Sequence, residues 1–188
     1  MRKNIVLFVI LMQAVQYSYC QTHDIKRIPV EIKPQQSTVL ASKVANARYV
    51  TYKNNDYGYT FQYPDFMKKY VGDDMDSSKG IVVSWNNQVA INTWVDEADG
   101  DTPQSLWNTL KENKDIRYTY HRIIGNTLFS SGFLANGNII YDKWVFQGGY
   151  ILSVSLEYPA GNKKDMDPVV KKVAGSFRST REKRKRVF

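Results

Sequence analysis

The sequence predicts an α+β fold in which an antiparallel sheet of about six to eight strands is covered by helices. Two observations support this prediction. Strand-like segments follow one another through short turns such as Asn136-Gly137, and such strands must pair antiparallel because parallel neighbours need long crossovers. Helical patterns occur in two places instead of after every strand, which is typical of α+β proteins.

The first half of the predicted domain consists of two hairpins and one helix. The turn-forming run from Asn54 to Gly58 separates the first two strands, and Pro64 ends the second because proline cannot donate to a ladder. Thr102 before Pro103 is typical of a helix start. The predicted elements are strands Tyr49–Lys53 and Tyr59–Tyr63, a helical turn Asp65–Tyr70, strands Ile81–Trp85 and Val89–Val95, and a helix from Pro103 to about Lys114.

The second half consists of four strands and a closing helix. Apolar residues alternate with polar ones along the last strand, which predicts one buried face and one wet or differently covered face. Asp167 and Pro168 are interpreted as the N-cap and first residue of the helix, and an apolar stripe follows to Phe177. The predicted strands are Arg117–Ile124, Thr127–Leu134, Asn138–Phe146 and Tyr150–Tyr158.

Three segments in this order resemble small exported bacterial domains of the PsbP/Mog1-like fold. Residues 57–64 (YGYTFQYP) resemble the opening hairpin of that fold, residues 131–143 its middle hairpin, and residues 158–177 its closing strand and last helix. The resemblance covers residues 49–178 and implies a central antiparallel sheet covered by helices. It also implies an accessory or interaction protein without a shared catalytic site, so no catalytic residue is carried over.

The N-terminus has the layout of a secretory signal peptide, residues 1–20. Arg2 and Lys3 precede an apolar run, Ile5–Met12, that is too short to span a bilayer. Small residues at Ser18 and Cys20 favour cleavage before Gln21, and the alternative is a lipoprotein anchored through Cys20. Because of this signal peptide, the expected location is periplasmic or extracellular. Residues 21–48, which follow the cleavage site, are predicted to form a flexible linker.

The positive charge is concentrated at the two ends of the chain. Of the net charge of +8, Arg2 and Lys3 account for +2 and residues 178–188 for +5, which leaves +1 for residues 21–177. A nucleic-acid partner is therefore not expected, since it would need basic residues spread over one face of the domain. Residues 179–188 are predicted to be a flexible basic tail that contacts an anionic surface weakly.

Neither the histidines nor the acidic clusters have the spacing of a catalytic or metal-binding motif. His121, the histidine within the domain, is a candidate general base or ligand, and the alternative is a surface or packed histidine; His23 lies in the linker. The acidic run 96–101 lacks the EF-hand pattern, because Ala98 and Gly100 occupy its third and fifth positions. This run, and the acids within 73–76, are predicted to be solvated loops.

No catalytic, cofactor-binding or metal-binding residue is predicted, and no cofactor. The tryptophans are candidates either for the core or for a ligand groove; they are Trp85, Trp94, Trp107 and Trp144. The sequence favours an exported non-enzymatic binding or accessory module that contacts another protein at the cell envelope. The alternative is a hydrolase of envelope or extracellular polymers that uses carboxylates such as Asp96 or Asp142.

Overall fold

The computed structural model describes residues 34–70 and 78–180. The predicted signal peptide, His23, the acids within 73–76 and the chain from residue 181 onward lie outside the described residues. The helices are α1 (Pro34–Ala45), α2 (Pro103–Leu110) and α3 (Lys163–Ser176), and a 3₁₀ turn, Ala160–Asn162, precedes α3. The strands are β1 (Tyr49–Asn54), β2 (Tyr59–Pro64), β3 (Lys68–Tyr70), β4 (Val82–Trp85), β5 (Val89–Glu97), β6 (Ile116–Ile124), β7 (Thr127–Leu134), β8 (Asn138–Gln147), β9 (Tyr150–Pro159) and β10 (Arg178–Ser179).

These strands form two sheets whose paired strands are antiparallel. The larger sheet has seven strands in the order β3-β4-β5-β9-β8-β7-β6, and the smaller has three in the order β1-β2-β10. Short turns produce this topology: Asn86 and Asn87, both with positive φ, close the β4–β5 hairpin, and Gly137 does the same between β7 and β8. The α+β prediction with six to eight strands is confirmed.

The main core lies on one face of the large sheet, which we call the inner face. Period-two alternation places Val154, Leu156 and Tyr158 of β9 on it, each at most 3% exposed. The small sheet, α1 and α3 cover it with Phe61, Phe177 and other apolar side chains. Buried members of the core are Leu40, Tyr59, Phe61, Met67, Ile81, Val83, Val89, Ile91, Val95, Ile139, Leu152, Val154, Leu156, Tyr158, Met166, Val169, Val173 and Phe177.

Polar contacts fix the small sheet and α3 onto the large sheet. The Tyr59 hydroxyl lies 3.0 Å from Thr93 Oγ1, which also accepts from the backbone N–H of Ile81. At the other end of the core, Lys143 Nζ donates to the carbonyl oxygens of Ala174 and Phe177 at 2.7 and 2.8 Å. A cation at the last carbonyls of a helix satisfies acceptors that lack an intrahelical partner.

Two predicted boundaries in the linker and tail need correction. Residues 34–45, inside the predicted linker 21–48, form α1, because Leu40 finds a site in the core and is 1% exposed there. At the other end, Ser179 pairs with Tyr59, and Thr180 N–H donates to Gly58 O at 2.7 Å. The folded part therefore extends on both sides of the predicted domain 49–178.

Three helical predictions also differ from the structure. Residues 68–70 form β3 instead of a helical turn, since they find a pairing partner in β4. Helix α3 begins at Lys163, so Pro168 lies inside it and Asp167 accepts an (i, i+4) salt bridge from Lys163 at 2.8 Å. Helix α2 ends at Leu110, four residues before the predicted end. None of the helices described is long and apolar enough to cross a membrane.

Candidate functional site

The face of the large sheet opposite the core, here called the outer face, carries a row of aligned polar side chains. Strand register aligns one polar row across five strands, with its side chains all on this face. Helix α2 packs on this face at β7, and Trp107 of α2 extends over β6. The polar row consists of Asn92, Ser155, Asp142, Ser130 and His121.

Asp142, in the middle of the row, is a buried carboxyl group. The residue is 6% exposed, and burial raises its pKa to about 7. The hydroxyls of Ser155 and Ser130 oppose this effect, and the charge of Glu157 adds to it. Ser130, which pairs with Asp142 across the strands, has a buried Oγ that forms no hydrogen bond within the usual distance and angle limits among the described residues. Asp142 therefore titrates near neutral pH.

Glu157 lies diagonally across from Asp142 on the neighbouring strand. It pairs with Ile140, two residues from Asp142, and the Cα atoms of such diagonal neighbours are about 7–8 Å apart. Asn138 Nδ2 donates to Glu157 Oε1 at 2.7 Å. The half-buried Glu157 is thus held in place by an amide at the margin of the outer face.

Tryptophans lie on both sides of Ser153 in the adjacent row. Trp94 and Trp144 both pair with Ser153, so they project from strands roughly 10 Å apart. Trp94 Nε1 donates to Asp96 Oδ1 at 3.0 Å, and Lys79 Nζ lies 5.5 Å from the Trp94 ring. Both tryptophans are half-buried. Two rings with polar groups between them provide a surface suited to contacts with an amphipathic ligand.

The other two tryptophans have packing partners. Trp107 stacks on His121 with ring centroids 4.0 Å apart and an interplanar angle of 8°, and it contacts Tyr118 edge-on. Trp85 lies on the inner side of the large sheet, where it meets Phe66 edge-on at 6.1 Å. The structure therefore divides the predicted set: three tryptophans lie on the outer face and one does not.

His121 is exposed on β6 and stacked, and it is not next to a carboxylate of the row. It pairs with Ser130, and β7 separates it from Asp142, which places the two Cα atoms roughly 10 Å apart. A general base needs a substrate proton within hydrogen-bond reach and an orienting group. Here the orienting contact is the Trp107 ring, which holds the imidazole flat against α2.

The acidic run 96–101 does not gather its carboxylates. Burial raises the pKa of Asp96, while the hydrogen bond from Trp94 and the charge of Lys79 lower it. Glu97, Asp99 and Asp101 are exposed, and Asp101 Oδ1 accepts a hydrogen bond from Ser105 beside the start of α2. No cluster of three metal-binding side chains occurs in residues 34–70 and 78–180.

Two depressions of the surface lie away from Asp96 and Asp142. One depression of about 370 Å³ borders Lys43, Asn46 and Phe66 between α1 and the end of β2. Another of about 450 Å³ lies against Pro168, Lys172 and Ser176 of α3. Neither borders Asp142, Asp96 or the outer-face tryptophans.

Sequence inspection missed Ser130 and Glu157 as neighbours of Asp142. Their side chains meet through strand register, which pairs residues far apart in the chain. One signal was available: Asp142 interrupts an otherwise strongly β-forming segment between Tyr141 and Trp144, where a carboxylate is unfavourable. An acid in the middle of a predicted central strand indicates a buried polar group.

Comparison with known proteins identifies the fold. No family model matches the chain, and no curated protein matches it. Cyanobacterial PsbP (CyanoP) from Synechocystis sp. PCC 6803 superimposes with a TM-score of 0.50 at 12% identity, over 70% of this chain and 92% of that one. The Ran-binding protein Mog1p of Saccharomyces cerevisiae gives 0.51 at 9% identity, over 72% of this chain and 97% of that one. The chain thus has the PsbP/Mog1-like fold, as predicted.

Proposed function

We propose that this protein is an exported, non-enzymatic binding or accessory module that contacts another protein at the cell envelope through its outer face. The observation that carries the proposal is the half-buried pair Trp94 and Trp144 beside a polar row, on a sheet face that α2 covers at one end. Aromatic residues with nearby polar groups are enriched in protein interfaces. The Ran-binding activity named for Mog1p is consistent with a fold that presents protein-binding surfaces.

The geometry of the carboxylates disfavours the hydrolase alternative. Asp96 and Asp142 are two strands and four positions apart, a Cα separation of about 15–20 Å, whereas glycosidase pairs lie within about 5–9.5 Å. Asp142 and Glu157 are closer together, but Asp142 is buried, and neither of the two depressions borders it. A polymer would therefore not reach both carboxyl groups at once.

Photocrosslinking tests the binding proposal directly. A photoreactive phenylalanine at position 144, in the full-length protein expressed in its own cells, should give an adduct with another protein on illumination. The same group at Val39, an exposed position on α1, is the control. Adducts from position 39 alone, or from neither position, would count against the outer face as the binding site.

Export is tested by the intact mass of the protein recovered from cells. The expected chain begins at Gln21, because Ser18 and Cys20 are the small residues that signal peptidase requires. A diacylglycerol adduct on Cys20 would instead establish the lipoprotein form. A mass that includes residues 1–20 would contradict export with cleavage altogether.

The hydrolase alternative has its own test. Purified protein is incubated with peptidoglycan and with acidic polysaccharide, and released ends are measured for the wild type and for D142N. We expect no release from either protein. Release that D142N abolishes would overturn the non-enzymatic proposal.

A further inference from the structure

β6 forms one edge of the large sheet and leaves apolar side chains exposed. It pairs with β7 on one side, and no other strand among residues 34–70 and 78–180 pairs with it. On its inner side Tyr120 is 47% exposed and Ile124 52%. Helix α3 packs on β9 and β8 of the inner face, so the β6 end lies beyond the main core. We call β6 and this inner side of β6 and β7 the β6 rim.

The β6 rim is basic. Arg117 and Arg122 are exposed on its inner side, and the Arg117 guanidinium lies 4.9 Å from the Phe133 ring centroid. Lys143 Nζ, on the next strand, lies 5.7 Å from the Phe129 ring. Neither β6 nor β7 contains an acidic residue, and Asp142 of β8 projects from the opposite face. The charge of this surface is complementary to an acidic partner.

The backbone of the rim is suited to strand addition. The pairing of β6 with β7 shifts at a bulge between Tyr118 and Tyr120, where Thr119 Oγ1 donates to Ser131 O at 3.4 Å. Beyond the bulge, Tyr120–Ile124 pair regularly with β7 and present their other backbone edge outward. Unpaired edges of this kind are templates for an additional strand, and proteins usually blunt them with charges or bulges. Here the bulge interrupts the earlier part of β6, and five regularly paired residues, Tyr120–Ile124, remain beyond it.

We propose that the β6 rim binds an extended acidic segment of a partner protein, which adds as an eighth strand alongside Tyr120–Ile124. In such an added strand alternate side chains lie on the inner side, where acidic residues meet Arg122 and Arg117 and apolar residues meet Tyr120 and Ile124. This surface is separate from the outer face, so it goes beyond the proposed function. Crosslinking from position 144 can therefore fail while the rim binds its peptide, and peptide binding at the rim can fail while crosslinking from position 144 succeeds.

The probe is an eight-residue peptide in which Thr occupies every second position and Glu and Val alternate at the remaining positions, so that Glu and Val project from the same face of an added strand. It is capped at both ends and labelled with a fluorophore, and is called the Glu-Val peptide. Binding to the full-length protein is followed by fluorescence anisotropy, and amide hydrogen exchange of Tyr120–Ile124 is measured with and without peptide. The matched peptide with Lys in place of Glu tests charge. A Glu-Val peptide N-methylated at two adjacent central residues tests strand pairing, because both of its edges then lack a donor.

We expect saturable binding of the Glu-Val peptide and slower exchange at residues 120–124. Binding should weaken at least about tenfold in R117E/R122E and in R122E alone, which spares the Arg117–Phe133 contact. The variant K164E/K171E makes the same charge change at exposed positions of α3 and should bind normally. Thermal melting checks that each variant is folded.

Several results would overturn the proposal. They are no anisotropy change when the protein is raised to about 1 mM, equal binding of the Lys-Val peptide, or binding of the N-methylated peptide within about twofold of the original. Displacement of the peptide by anionic vesicles or by a single-stranded oligonucleotide at lower concentration would assign the rim to those ligands instead. Normal binding by R117E/R122E would place the peptide elsewhere on the protein.

Discussion

The two faces of the seven-stranded sheet use the same strands for different purposes. Along β9, Val154 and Leu156 point inward and are fully buried, whereas Ser153, Ser155 and Glu157 point outward and are half-buried. The inner face has a second sheet and two helices packed against it, and α2 packs on the outer face at one end. Stability therefore depends mainly on the inner face, which leaves polar and aromatic groups of the outer face available for binding.

Rings on the two faces differ in how fully they are enclosed. On the inner side Phe61 lies between Tyr52, Tyr63 and Phe177, with ring centroids 5.7 to 6.5 Å apart. On the outer face Trp144 retains contact with solvent. Truncation of one ring on each face should therefore show how much each face contributes to the stability of the fold.

The largest expected effect comes from that pair of truncations. F61A should lower the free energy of unfolding by about 3–5 kcal/mol, because it opens a cavity in a fully buried aromatic cluster. W144A removes a larger but half-exposed ring and should cost about 1–2 kcal/mol. Denaturant unfolding of both variants measures the difference, and equal losses would show that the outer face is part of the core.

The buried carboxyl of Asp142 should make stability depend on pH. Its folded pKa of about 7 lies above its ordinary value of 3.8, so stability that is fully present below pH 3.8 is lost as the pH rises through 7. A shift of this size corresponds to a few kcal/mol, at about 1.4 kcal/mol per pKa unit. D142N, which mimics the protonated acid, should reduce this loss.

Unfolding by urea at pH 5 and pH 8 measures the effect for the wild type and D142N. D99N changes an exposed loop residue and is the matched control, which should keep the wild-type difference between the two pH values. If D142N also kept that difference, another group would be responsible for the pH dependence.

Hydroxyl groups on the two faces should differ in a smaller way. T93V removes the buried hydroxyl that links β5 to Tyr59 and Ile81, which should cost about 1–3 kcal/mol because the phenol loses a buried partner. S153A removes an outer-face hydroxyl that donates to Trp94 O at 3.2 Å, and it should cost under about 1 kcal/mol. Thermal melts of the two variants rank them, and the reverse order would contradict this account of the inner face.

The smallest expected effect concerns the basic tail. Removing residues 181–188 should change stability by no more than about 0.5 kcal/mol, because the last backbone contact described is that of Thr180 with Gly58. Removing residues 178–188 also deletes β10 and should destabilise the protein measurably. Calorimetry compares the two truncations, and a large loss from the shorter one would show that residues 181–188 pack on the domain.

Local patterns predicted most strands within one or two residues. Pairs of strands around Gly137 and around Asn86-Asn87 were predictable because turn chemistry and period-two alternation are contained in the segment itself. The prediction was wrong where a segment's structure depends on a distant partner. β3 exists because Lys68–Tyr70 pairs with β4, and α1 packs because Leu40 enters the core.

The sequence by itself determined the α+β class, the order of the strands along the chain, and the alternation that gives each long strand one apolar side. These properties arise from side-chain size, turn residues and periodicity within about ten residues. Only the tertiary structure decided which side chains meet across the sheet. Asp142 lies beside Ser130, Ser155 and Glu157 because strand register aligns β7, β8 and β9, and its pKa follows from burial among them. Register and burial are properties of the assembled sheet, since they join residues that no local segment contains together.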